Sequence, residues 1–164
     1  MFIEMRVAGI TVDPMTNAPI VILRDVNSDN TLPIWIGVLE ASAIASEVEK
    51  MKFTRPMTHD LFRNVLDKVD VSLKRIEVND LRENVYYATI HLNHAGAVIA
   101  VDARPSDAIA LALRMSSPIF VEASIIEKSR SVDYSKAPKT ADGSKAGGET
   151  LENLTPESFG KYKM

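Results

Sequence analysis

The sequence predicts an α+β fold: a duplicated strand-strand-strand-helix unit, with a mixed or antiparallel sheet packed against helices. Three observations lead there. Runs of β-branched residues alternate with turn residues before about residue 129. Three strand-like runs precede a helical pattern, and the order then repeats. The helix that opens at Pro105 is apolar nearly all round, which predicts a buried central position.

Phe2 to Val12 reads as a strand, followed by the loop Asp13-Pro14-Met15-Thr16-Asn17. Pro19 to Arg24 and Leu32 to Ile36 flank Asn27-Ser28-Asp29-Asn30, which is turn chemistry, so they form a hairpin. Ala41, Ile44, Ala45, Val48 and Met51 fall at helical spacing. A second helix starts at Thr58, whose hydroxyl is placed to cap it, with Leu61, Phe62, Val65, Leu66 and Val69 on the inner face. Val71 to Val78 and Val85 to Leu92 are strands, and Ala97 to Asp102 pairs back across Asn93-His94-Ala95-Gly96. The helix from Pro105 to about Met115 uses proline in its first turn, where no N–H is needed. Pro118 to Val121 closes the series as a short strand.

The repeat rests on an offset of 65 residues, which lays Ala43-Ile44-Ala45 on Ala108-Ile109-Ala110, Ile34 on Ile99 and Ile36 on Val101. A pseudo-two-fold in the fold is the expected consequence. The domain boundary is expected at residues 128 and 129, because beyond it Ser, Lys, Gly and Asp dominate and too little apolar surface remains to offset ordering entropy. Residues 129–164 are therefore expected to be a flexible tail, although apolar groups return between Leu151 and Tyr162.

Composition limits the function classes. The chain has 164 residues, 46% hydrophobic and 25% charged, and a formal net charge of −3. That balance suits one soluble domain and argues against a general DNA-coating protein, which would carry a basic surplus. No apolar run reaches the roughly 18 residues of a membrane span, and the first residues lack the order of a signal peptide. Cysteine is absent, which excludes disulfides and thiolate chemistry; a cytoplasmic protein is expected. Trp35 stands among Leu32, Ile34 and Ile36 in a strand that alternation would leave partly uncovered, so a homo-oligomer is expected.

Two segments carry candidate chemistry: Arg55-Pro56-Met57-Thr58-His59-Asp60-Leu61 and Asp102-Ala103-Arg104-Pro105-Ser106-Asp107. Each joins arginine, proline and carboxylate at a helix start, where backbone N–H groups and the dipole favour anions. Arg55 and Arg104 are candidate phosphate clamps. His59, which a helix N-terminus would keep neutral, is the candidate base, with Asp60, Asp102 and Asp107 as further catalytic candidates. Asp102, Asp107 and Glu40 form a candidate oxygen set for Mg²⁺ or Mn²⁺, and Glu47, seven residues from Glu40, falls on the same helical face, which suits either solvent or the site. The same residues also suit ordinary roles. Thr58, Ser106, Asp60 and Asp107 are common caps, and a buried helix at Asp107 would place an Arg104–Asp107 or Arg104–Asp102 pair near the core. Between Lys50 and Arg75 the chain carries a surplus of four positive charges, which suits either a polyanion or a solvated helix face.

Leu32-Pro33-Ile34-Trp35-Ile36-Gly37 with Glu40-Ala41, together with the two charged segments as far as Ala112, resembles the bifunctional nuclease family over roughly Met1 to Ile126. The resemblance implies a compact α+β fold with a duplicated unit and hydrolysis of phosphodiesters in both RNA and DNA. Arg55 and Arg104 would then hold phosphate, and His59 or a metal-bound hydroxide would activate water. The competing expectation is a non-catalytic anion-binding or regulatory module whose charged residues are structural pairs.

Overall fold

The computed structural model describes residues 1–130, and the expected tail from residue 131 onward lies outside the described residues. Three antiparallel strands open the chain: β1 (Phe2–Val12), β2 (Pro19–Asp25) and β3 (Thr31–Trp35). Helices α1 (Val38–Val48) and α2 (Thr58–Lys68) follow, then a second antiparallel set, β4 (Val71–Arg82), β5 (Val85–His94) and β6 (Ala97–Ala103). Helix α3 (Pro105–Met115), strand β7 (Ile119–Glu122) and helix α4 (Ala123–Arg130) complete it.

All seven strands form one mixed sheet in the order β3-β2-β1-β7-β4-β5-β6. β7 lies antiparallel to β1 and parallel to β4, so it joins the two strand triplets. In each half the first strand is innermost and the third forms an edge, and each half continues into a helix, as the expected duplication requires. The β4–β5 and β5–β6 hairpins close on two-residue turns with positive φ at both positions, Glu83-Asn84 and Ala95-Gly96, the conformation that matches the twist of paired strands. The sheet curls. Tyr86 on β5 donates its hydroxyl to Pro33 O on β3 at 3.3 Å, although four strands separate them in the sheet order.

α3 occupies the centre of the helical layer. Ala108 through Ala112 are buried, and α3 packs against α1, α2, β4 and β5. The sheet contributes Val21, Leu23, Ile34, Ile76, Val78 and Val121 to the same core.

Several expectations shift. Of the five apolar residues assigned to the inner face of α2, only Leu66 is buried; Leu61, Phe62, Val65 and Val69 are exposed. α3 already covers the sheet centre, so α2 reaches the core along one edge. Thr58 is the first helical residue rather than the cap; the helix is closed by Asp60, whose Oδ2 accepts from Met57 N at 3.0 Å. The strand around Trp35 is covered, with Leu32 and Ile34 buried and Trp35 donating Nε1–H to Asp13 at 2.9 Å. α4, absent from the sequence expectations, crosses the 128/129 boundary: Ser129 is buried and donates to Ile126 O at 2.9 Å.

Candidate functional site

The two charged segments meet. A cavity of ≈ 380 Å³ lies between α1, the connection before α2, the start of α2, and α3. One corner is polar, and a chain of contacts links residues 40, 59, 104 and 107 there. Glu40 Oε1 accepts from Arg104 Nη1 at 2.6 Å. Arg104 Nε donates to Asp107 Oδ2 at 2.6 Å, and Asp107 Oδ1 lies 3.0 Å from His59 Nε2.

Local structure explains each placement. Asp107 and His59 sit in the first turns of α3 and α2, so the crossing of those helices sets their separation. Glu40 folds back over the start of α1, because Gly37 has no Cβ; a methyl group there would collide with the Glu40 carboxylate. That glycine was quoted in the sequence motif without a role.

Electrostatics fix the protonation pattern. Burial works to raise the Asp107 pKa, but hydrogen bonds from Arg104 and His59 outweigh it and hold the carboxyl below its usual range. The Asp107 bond holds Arg104 firmly protonated, with Glu40 adding to it. An ionised carboxylate only accepts, so His59 donates from Nε2, and the neutral imidazole then carries its lone pair on Nδ1. The His59 side chain is 17% exposed. The Arg104–Asp107 pair is less buried than expected, at 64% and 33% side-chain exposure, because Arg104 precedes α3 and turns outward along the cavity rim. The Arg104–Asp102 alternative does not form: Asp102 is exposed on edge strand β6, opposite Thr89, and does not line the cavity. Arg55 is exposed and also outside the cavity lining.

Asp60 belongs to a second cluster centred on Arg114, which sequence reasoning missed. Arg114 is 2% exposed at its side chain and donates Nε–H to Asp60 Oδ1 at 2.6 Å. Its Nη1 donates to Ala43 O and Ala110 O, and its Nη2 to Ser46 Oγ. The Asp60 pKa is lowered despite burial, because the Arg114 and Met57 hydrogen bonds favour the ionised form. A lone arginine closing a helix otherwise apolar on all sides is the signal that was available.

The candidate ligands for the expected cation do not converge among the described residues. Among the described residues, no three His, Asp or Glu side chains gather as a metal-holding group. Glu40 and Asp107 share one guanidinium, and Asp102 stands apart. Glu47 is engaged with Lys50 at 2.8 Å.

The fold and cavity define a duplicated α+β domain whose cavity carries a histidine–carboxylate–arginine corner. The bifunctional nuclease domain profile matches residues 21–133. The chain belongs to the bifunctional nuclease domain family. It is 37% identical over 162 residues to an uncharacterised protein of Mycobacterium tuberculosis, covering 95% of this chain and 97% of that protein. Bifunctional nuclease 2 of Oryza sativa subsp. japonica is 28% identical over 111 residues, 65% of this chain and 34% of the rice protein. Bifunctional nuclease 2 of Arabidopsis thaliana is 25% identical over 132 residues, 79% of this chain and 36% of its own length. The chain thus spans about a third of the plant proteins it matches. Among the described residues, no helix is long and apolar enough to cross a membrane.

Proposed function

We propose that the chain hydrolyses phosphodiester bonds of nucleic acids, with His59 as general base, Asp107 as its orienting partner and Arg104 as the phosphate contact. The observation that carries this reading is the His59–Asp107 hydrogen bond on the cavity wall, which commits Nε2 and leaves Nδ1 able to accept a proton. Water gives a proton to Nδ1 as its oxygen bonds to phosphorus. The bond from phosphorus to the leaving oxygen then breaks, that oxygen takes a proton from solvent, and the His59 imidazolium releases its own to solvent. Arg104 has Nε and Nη1 engaged, so Nη2 is the donor that meets the phosphate charge. Asp60 positions α2 through Arg114, and Asp102 and Arg55 lie outside the reacting corner.

No divalent cation enters these steps, so EDTA is expected to leave wild-type cleavage of labelled RNA and DNA unchanged. Abolition by EDTA would overturn that part. His59→Ala is expected to lower the cleavage rate by roughly 10²-fold or more while the thermal midpoint holds, because Asp60 still closes the helix. An unchanged rate removes His59 from the mechanism.

One observation favours a second reading. With His59 neutral, the group Glu40–Arg104–Asp107–His59 carries a formal charge of −1, which suits a structural ion-pair clamp between α1 and α3. As a non-catalytic module, the chain would lose stability but no intrinsic cleavage on substitution of these residues.

A further inference from the structure

The cavity has two kinds of wall. Besides the charged corner of Arg104 and His59, its lining includes Leu39, Ala43, Phe53 and Met57. Leu39 is 79% exposed and Met57 38%, so the apolar wall continues to the rim. A nucleic-acid duplex offers such a wall nothing to pair with, because phosphates and sugars cover its exterior and the base faces are stacked inside. An unpaired nucleotide does offer a match: an apolar base face beside a charged phosphate.

Access makes the same distinction. His59 is mostly covered and lines the cavity, so a phosphate reaches it from the cavity side, where a nucleoside attached to it lies beside the apolar lining. Charge agrees. The chain carries a formal net charge of −3, so its overall field does not draw in a polyanion, and contacts with the base add to what Arg104 supplies.

We propose that the cavity holds one unpaired nucleotide, with its base on the Leu39–Phe53–Met57 wall and its phosphate toward Arg104, so that single-stranded nucleic acid is the substrate class. This rests on the phosphodiester reading above and specifies the substrate of that site.

The test uses the full chain, a fluorescently labelled DNA oligonucleotide, and the same oligonucleotide annealed to its complement, at one salt concentration. The single strand is expected to be cleaved roughly 10-fold faster or more. By fluorescence anisotropy, His59→Ala is expected to bind the single strand in preference to the duplex by a similar factor. Leu39→Ala is expected to weaken single-strand binding roughly 5- to 10-fold without shifting the thermal midpoint. Equal cleavage of the two substrates overturns the single-strand class and leaves the hydrolase reading standing. Preferential single-strand binding with no wild-type cleavage supports the class and overturns hydrolysis. Failure to bind or cleave either substrate overturns both.

Discussion

Arg104 and Arg114 lie ten residues apart in opposite surroundings, and their substitutions should separate cleanly. Arg114 is almost wholly covered, and Asp60 and three other oxygens satisfy it. Removing it leaves Asp60 charged and unpaired in a partly buried site. Arg114→Ala is therefore expected to cost about 3–5 kcal/mol in chemical denaturation. Arg104 is more than half exposed, so Arg104→Ala should cost no more than about 1 kcal/mol. A larger loss for Arg104 than for Arg114 would reverse this assignment. The candidate site was partly legible at this scale. His59, Arg104, Asp107 and Glu40 stand in motifs whose chemistry shows in the sequence. Arg114 carried only one local signal, its place at the end of an apolar helix, and that signal does not name its partners. Its partners come from α1 and α2, more than forty residues away in sequence.

The elements themselves were legible where local chemistry decides them. β1 and α3 run over the expected residues, and the strand ends follow the turn residues. Periodicity found α2 but misjudged its apolar stripe as an inner face, because it could not say that α3 would already cover the sheet centre. The start of α1 shows another local device. Gly37 lets Glu40 fold back and reach Arg104 across to the second half of the molecule. Gly37→Ala is expected to destabilise the wild-type chain more than it destabilises Glu40→Ala, because the collision exists only when the carboxylate is present. The difference in a double-mutant cycle should be about 0.5–3 kcal/mol. Equal costs in both backgrounds would show that the glycine serves only the helix cap.

At the scale of the whole molecule, the two triplets were legible but their junction was not. β7 has four residues, and its pairing with β1 and β4 is set by long-range packing that no local pattern records. The assembled fold has a defined acid limit. Burial opposes ionisation of Asp60, Asp107 and Glu77, yet hydrogen bonds from Arg114, from Arg104 and His59, and from Arg75 and His91 hold all three pKa values below normal. Carboxyls depressed in the folded state contribute stability that is present above the ordinary carboxylate range and lost as pH falls through the folded values. The thermal midpoint should thus be steady from neutral pH to about 5 and fall below about 4. Asp60→Asn should flatten that fall, and an unaltered acid slope would remove Asp60 from it. Self-association is the remaining expectation, and its basis moves. The apolar side chains around Trp35 are largely covered within one chain, with Leu32 and Ile34 buried, so they no longer argue for an interface. Edge strand β6 instead leaves Val98, Ile99 and Val101 exposed at 65%, 45% and 39%. An uncovered apolar edge strand offers unpaired backbone groups and apolar side chains together, a combination that pairs with another copy unless charge or proline blocks it. Light scattering at micromolar concentration is expected to give a multiple of the 18.1 kDa chain mass, and Val98→Lys with Ile99→Lys should return it to a single chain. A wild-type mass of one chain would overturn self-association. A multimer unaffected by both lysines would move the interface from β6 to the exposed apolar side of α2.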